Sequence, residues 1–225
     1  MTARIVPDGP DGWTVAVATL RAGGVVALPT DTVYGLCVAL ETPGGVERLF
    51  EVKRRLPDKG IILLLEDDAQ AARIGLMTPA ATAFATACWP GGMTLVVPQR
   101  PGVVLPAALT AGSATIGLRV PDHATPRALA AAVGPLPTTS ANVSGLPEAR
   151  DAGEILEQLG NAIDLILDGG PAHGGPASTV VDCSGAMPRI LREGAIALHR
   201  VAAILDAAGV QHELVDRGRS GPGAD

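Results

Sequence analysis

The stretch Ile61-Ile-Leu-Leu-Leu65 constrains the fold most, because it places five branched aliphatic residues in a row. Side chains of a strand alternate between its two faces, so a wholly apolar strand has no face to give to water. It belongs inside a sheet covered on both sides. Gly24–Leu28, stopped by Pro29, and Val33–Leu40 have the same apolar character. Further strands are expected at Met93–Val97, Thr115–Val120, Leu136–Thr139, 163–167, 178–182 and 189–191. The apolar spacing predicts helices over 13–22, Val46–Arg54, 79–88, around Pro126–Val133, over 151–159 and over 196–209. Aromatic residues make up only 2% of the chain, so Ala, Val, Leu and Ile must fill the core. Helices and strands alternate irregularly around apolar strands. That pattern predicts an α/β or α+β domain built on one large sheet, over residues 10–205. Residues 216–225 lack apolar content and are expected to form a disordered tail.

Charge narrows the function. The net charge of -6 argues against a general nucleic-acid binder, which would carry a basic face. It leaves room for a local basic pocket. No run approaches the roughly 20 apolar residues of a membrane span, and the N-terminus lacks a signal-peptide pattern. Cys37, Cys88 and Cys183 are odd in number and far apart, as expected of buried free thiols in a cytoplasmic protein. The four histidines show no metal-ligand spacing.

Four segments carry chemistry. The chain's two lysines, Lys53 and Lys59, sit with Arg54 and Arg55 in one short stretch, while every other basic residue is arginine or histidine. The cluster reads either as a polyphosphate site or as a solvated helix end. Pro29-Thr-Asp-Thr-Val-Tyr-Gly35 sets two hydroxyls and a carboxylate directly after an apolar strand, where open α/β sheets place ligands; a turn cap is the alternative. Thr138-Thr-Ser-Ala-Asn-Val-Ser-Gly145 is similar, and reads as an anion-holding loop or a hydrogen-bonded turn. In Thr115-Ile-Gly-Leu-Arg119, alternation puts Thr115, Gly117 and Arg119 on one face, which suits a pocket wall or a surface ion pair. Walker A and G-x-G-x-x-G loops are absent, as is G-x-S-x-G. Many hydroxyls and cations without a nucleophile and its base fit the stabilisation of an anionic reaction.

These segments, together with Trp89–Pro98 and Ser178-Thr-Val-Val-Asp…Ile190-Leu-Arg-Glu-Gly194, stand in an order that resembles the YrdC-type threonylcarbamoyl-AMP synthases. The resemblance covers roughly residues 10–200. It implies a large twisted mixed sheet flanked by helices, with a deep, positive, concave cavity. It also implies a reaction that joins L-threonine, bicarbonate and ATP into threonylcarbamoyl-AMP and pyrophosphate. The product would go to tRNA threonylcarbamoyl-transfer proteins.

Residue roles follow from the resemblance alone. The K-x-R element falls on Lys53 and Arg55, the expected catalytic pair, with Lys59 following; all three would face nucleotide phosphates. The S-x-N element falls on Ser140 and Asn142, also on the ATP side with Thr115 and Arg192. Thr32, with Thr30 near it, would meet the amino acid. Arg119 would clamp its carboxylate, and Thr138 and Ser178 would line its pocket. Mg2+ is implied with ATP, but no carboxylate stands out as its ligand. Leu56 replaces the family's usual proline after K-x-R, and Leu64 stands where some long members carry histidine. The C-terminal domain of long members has no counterpart here. A double-stranded RNA-binding module and a paralogue without this activity are the competing readings. The acidic balance predicts weak, salt-sensitive tRNA binding at most, and a gel-shift at physiological salt checks it. Tight binding there would favour the RNA-binding reading.

Overall fold

A computed structural model describes residues 2–54, 60–172 and 175–213 of the chain. The expected tail, 216–225, lies outside them, as do Arg55 and Lys59. Ten described strands form one sheet: β1 (Arg4–Pro7), β2 (Val26–Leu28), β3 (Gly35–Cys37), β4 (Ile62–Leu64), β5 (Met93–Pro98), β6 (Thr115–Arg119), β7 (Leu136–Ser140), β8 (Leu165–Asp168), β9 (Thr179–Asp182) and β10 (Arg189–Arg192). Their order is β1-β8-β2-β3-β7-β4-β6-β5-β9-β10. Parallel pairs (β1/β8, β8/β2, β4/β6, β5/β9) mix with antiparallel ones (β2/β3, β3/β7, β7/β4, β6/β5, β9/β10). The helices are α1 (Pro10–Arg21), α2 (Gly45–Lys53), α3 (Asp68–Ile74), α4 (Pro79–Cys88), α5 (Ala107–Thr110), α6 (Ala124–Val133), α7 (Ala152–Leu159) and α8 (Leu198–Ala207).

The apolar run at 61–65 is central and buried on both faces. Ile61, Leu63 and Leu65 join the larger core, which packs Phe50 of α2, Phe84 of α4, Ile155 of α7 and Val201 of α8. Ile62 and Leu64 face the opposite side, where Ala16 and Leu20 of α1 meet Leu129 and Ala130 of α6. The period of two therefore divides one strand between two cores. Leucine, alanine and valine do most of the filling, with Tyr34 and Phe84 the largest fully buried side chains.

Several boundaries differ from expectation, for local reasons. Of Val33–Leu40, only Gly35–Cys37 pairs as strand. The Thr30 hydroxyl takes the Val33 carbonyl at 2.7 Å, and a turn closes from the Thr42 N–H to the Ala39 carbonyl. Helix α3 has only seven residues, too few to show a helical period in the sequence, although Asp67 caps it by accepting from the Gln70 N–H at 2.8 Å. Strand β1 lies before the expected domain start at residue 10; its place comes from a parallel partner far along the chain, β8.

The β9/β10 hairpin carries part of the cavity wall, and Asp182 ties it together. Its carboxylate accepts from the Ser184 hydroxyl and N–H at 2.6 and 2.9 Å, and from Arg189 at 2.8 Å. Burial pushes this carboxyl up, but Arg189 and Ser184 outweigh it and hold the group below the usual carboxylate range. A depressed folded-state value means stability that is present at neutral pH and lost as the pH falls through that range. Asp182→Asn should lower the unfolding free energy at pH 7 by about 1–3 kcal/mol. Urea unfolding across a pH series should show the gap to wild type closing below about pH 4.

Candidate functional site

Helices α1 and α6 cover only part of their sheet face. The open remainder is the floor of a cavity of about 650 Å³. Val96 of β5, Gly117 of β6, Ile62 of β4 and Thr138 of β7 lie side by side on this floor by register. Two glycines keep it low. A Cβ on Gly117 would meet Ile62 at 2.9 Å, and one on Gly35 would meet Thr138 at 2.8 Å. The floor is apolar and the rims are polar, as in many small-molecule sites.

One rim is built around Arg119, at the end of β6 and 4% exposed. Its Nε donates to the Gly91 carbonyl at 3.0 Å, Nη1 to the Thr32 hydroxyl at 3.0 Å and Nη2 to Asp31 Oδ1 at 2.6 Å. A guanidinium has five N–H bonds, so one on each terminal nitrogen remains. Burial pushes the Arg119 guanidinium below the usual arginine range; Asp31 pulls it back, and Arg192 adds to the downward push. It stays charged throughout. Thr30 supports this rim: its hydroxyl lies 3.2 Å from that of Thr32 and accepts from the Thr32 N–H at 3.1 Å. The turn-cap reading of this segment and the pocket reading therefore both describe it.

The opposite rim is the loop after β7. Lys53, 4% exposed at the end of α2, donates to the Ser140 carbonyl at 2.7 Å, the Ser140 hydroxyl at 3.2 Å and Asn142 Oδ1 at 2.9 Å. Ser140 in turn donates to Asn142 Oδ1 at 2.7 Å, and Asn142 reaches the Leu146 carbonyl at 2.7 Å. Lys53 and the Ser140–Asn142 pair, far apart in sequence, thus form one network. Ser140 lines the cavity, while Lys53 and Asn142 sit behind it. Residues 55–59, with Arg55 and Lys59, lie outside the described residues.

The third wall comes from the β9/β10 hairpin. Arg192 donates twice to the Ser178 carbonyl, at 2.9 and 3.0 Å, and once to its hydroxyl at 3.1 Å. The Ser178 hydroxyl also lies 2.8 Å from that of Thr94. Thr30, Thr32, Thr115, Arg119, Thr138, Ser140, Ser178 and Arg192 all reach the cavity. Of the twelve residues singled out from sequence, the two behind the wall and the two outside the described residues are the exceptions.

Tyr34 and Glu148 also line the cavity, beyond the residues expected from sequence. The Tyr34 hydroxyl donates to the Gly170 carbonyl at 2.6 Å and accepts from the Gly169 N–H at 3.0 Å, tying a glycine-proline loop to the Thr30–Gly35 segment. Its being the chain's one tyrosine was the available signal. Glu148 carried none, because only folding brings it to the cavity. Among the described residues no group of three His, Cys, Asp or Glu side chains could hold a metal ion. The cysteines are buried and free; burial pushes all three thiols up, Cys183 to about 12, so none is a ready nucleophile.

The buried Lys53 network gives a stability prediction. Removing the ammonium leaves buried and half-buried carbonyl, hydroxyl and amide oxygens short of a donor. Lys53→Met should lose about 1–3 kcal/mol in denaturant unfolding. Lys53→Arg should also be impaired, because a planar fork cannot replace a compact ammonium among three converging oxygens. An unchanged unfolding midpoint in Lys53→Met would show that the network contributes nothing.

Comparison with known proteins agrees with this architecture. The sequence model of the Sua5/YciO/YrdC family, described as "Telomere recombination", matches residues 18–194. A Bacillus subtilis protein named threonylcarbamoyl-AMP synthase is 35% identical over 90% of this chain and 59% of its own length. An Idiomarina loihiensis protein of the same name is 36% identical over 72% of this chain and 90% of its own. The crystal structure of Pyrococcus abyssi Sua5 complexed with L-threonine superposes with a TM-score of 0.84 at 30% identity, covering 100% of this chain and 66% of that one. The chain thus spans about three fifths of its Bacillus relative, yet nearly all of the shorter one. With its ordered motifs gathered around one cavity, the chain belongs to the Sua5/YciO/YrdC family.

Proposed function

We propose that this chain is a threonylcarbamoyl-AMP synthase, forming L-threonylcarbamoyladenylate and pyrophosphate from L-threonine, bicarbonate and ATP. One observation carries the reading. The amino-acid set (Thr30, Thr32, Arg119, Thr138, Ser178) and the nucleotide set (Thr115, Ser140, Arg192) line one continuous cavity of about 650 Å³. A synthase must hold both substrates so that they react with each other, and a shared cavity supplies that proximity. Relatives named for the same reaction support it.

The chemistry assigns tasks to these residues. Threonine's free amine attacks CO2 and gives up a proton, or attacks bicarbonate with loss of water, giving a carbamate. A carbamate oxygen then attacks the α-phosphorus of ATP, and pyrophosphate leaves. Arg119 takes the amino-acid carboxylate on its two remaining N–H bonds, while Thr32 and Thr138 meet the side chain. Ser140, Thr115 and Arg192 face the nucleotide. Lys53 holds Ser140 and Asn142 in place from behind, and Arg55 and Lys59 join the phosphate side. Preformed donors aimed at developing charge are worth more in a water-poor cavity than in solution. No enzyme-bound intermediate is needed, in keeping with thiols that are buried and raised.

Mg2+ would arrive with the nucleotide. Glu148 is the one carboxylate among the cavity-lining residues, so the described residues do not build a cage for the ion. The triphosphate and water would carry most of its coordination. The product would pass to tRNA threonylcarbamoyl-transfer proteins, with weak or no direct tRNA contact by this chain. No described helix is long and apolar enough to cross a membrane, and we place the reaction in the cytoplasm.

Pyrophosphate release should require threonine and bicarbonate together, with mass spectrometry detecting the mixed carbamoyl-adenylate. Release that runs equally well without threonine would overturn the assignment.

A further inference from the structure

The middle of the cavity floor separates the two substrate ends, and it is hydrocarbon. On β6, Thr115, Gly117 and Arg119 all line the cavity, and strand geometry sets successive members about 7 Å apart. Gly117 is therefore midway between the amino-acid end at Arg119 and the nucleotide end at Thr115. The flanking strands repeat this order. Leu64 of β4 stands level with Arg119 on one side and with Leu136 of β7 on the other. Two residues along, Ile62 is level with Gly117 and Thr138, and Val96 of β5 pairs with Gly117. Ser140 lies two residues further still, towards the Thr115 end. Ile62, Gly117 and Val96 thus form a row across the sheet between the two ends. Ile62 and Val96 are only half-buried, so their branched side chains present hydrocarbon to the cavity. Thr138 closes the row, and its hydroxyl donates to the Leu136 carbonyl at 2.8 Å.

The reaction needs a third reactant between the amine and the α-phosphorus, above this row. In water it exists as bicarbonate and as CO2. A bicarbonate set on hydrocarbon loses hydration, and Ile62, Gly117 and Val96 return neither charge nor a side-chain hydrogen bond. CO2 has no charge to solvate. The same surface favours a neutral amine over an ammonium, because desolvation disfavours the charged form. Free amine and CO2 are the pair that combine directly. We propose that the Ile62–Gly117–Val96 row is the site of the one-carbon substrate and that it takes CO2, not bicarbonate. The amine lone pair forms the C–N bond, one C=O pair moves onto oxygen, and the proton lost from nitrogen passes to water. The carbamate oxygen is then left facing the nucleotide end. Gly117 keeps the row flat enough for a small linear molecule, since a Cβ there would already meet Ile62 at 2.9 Å.

The inference rests on the synthase reading above, and the test separates the two. Wild-type enzyme with threonine, ATP and Mg2+ receives radiolabelled carbon either as CO2 or as bicarbonate, in the cold, before the two forms interconvert. CO2 should give a burst of labelled carbamoyl-adenylate and bicarbonate a lag, and added carbonic anhydrase should erase the difference. A burst from bicarbonate with a lag from CO2 would refute the choice of CO2. Val96→Thr keeps the side chain's shape and adds a hydroxyl to the row. It should raise the KM for CO2 about 10-fold, while the calorimetric Kd for threonine stays unchanged. Should that variant fail to fold, Ile62→Thr carries the same comparison. A KM for CO2 equal to wild type in the folded variant would refute the location. Labelled product from neither form, with pyrophosphate release indifferent to threonine, would overturn the synthase reading itself.

Discussion

A sheet whose middle strands are apolar on both faces leaves polar side chains only at strand ends and on any face left bare. That constraint organises this molecule. Arg119 stands at the end of β6 and Ser140 at the end of β7, and the Thr30–Thr32 segment follows β2. Each is buried or half-buried, so each must find partners nearby, and the partners are one another. Arg119 binds Thr32, Asp31 and Gly91; Lys53 binds Ser140 and Asn142; Arg192 binds Ser178. Among the described residues, no buried side-chain nitrogen or oxygen is left without a partner. The polar rims are therefore preformed, and their orientation does not wait for substrate.

The core and the site depend on the same two-residue period. Leu63 and Leu65 hold one face of β4 against α2 and α4, while Ile62 and Leu64 hold the other. The second face is shared between the α1/α6 layer and the cavity floor, so the strand that anchors the fold also floors the site. A substitution at Ile62 or Gly117 would therefore change cavity shape and sheet packing together, since a Cβ on Gly117 meets Ile62. Catalytic geometry built on strands in this way is stiffer than geometry built on loops alone.

Lys53 shows how far a motif can be read. The lysine-arginine cluster around it read either as a phosphate site or as a solvated helix end, and the family resemblance pointed to phosphate. The structure sets it 4% exposed, behind the cavity wall, with three uncharged oxygens converging on its ammonium. Its hydrogen bonds to Ser140 reach the cavity lining. The same holds for Asn142, whose amide binds loop carbonyls. Spacing in a sequence reports which residues are needed, but it does not distinguish a residue that touches a ligand from one that aims its neighbour.

By itself the sequence determined the class of fold, most strand and helix positions, and the residue types of the site. These are local properties: apolar runs, alternation, caps and turn residues act over a few positions. Tertiary structure alone decided the order of the ten strands, the parallel seat of β1 against β8 and the division of the sheet face between helices and cavity. It also decided that Asp31 pairs with Arg119 across 88 positions, that Lys53 reaches Asn142 across 89, and that Tyr34 ties down Gly170 across 136. Such contacts arise only when register and packing bring distant strand ends together, and no local pattern encodes that meeting.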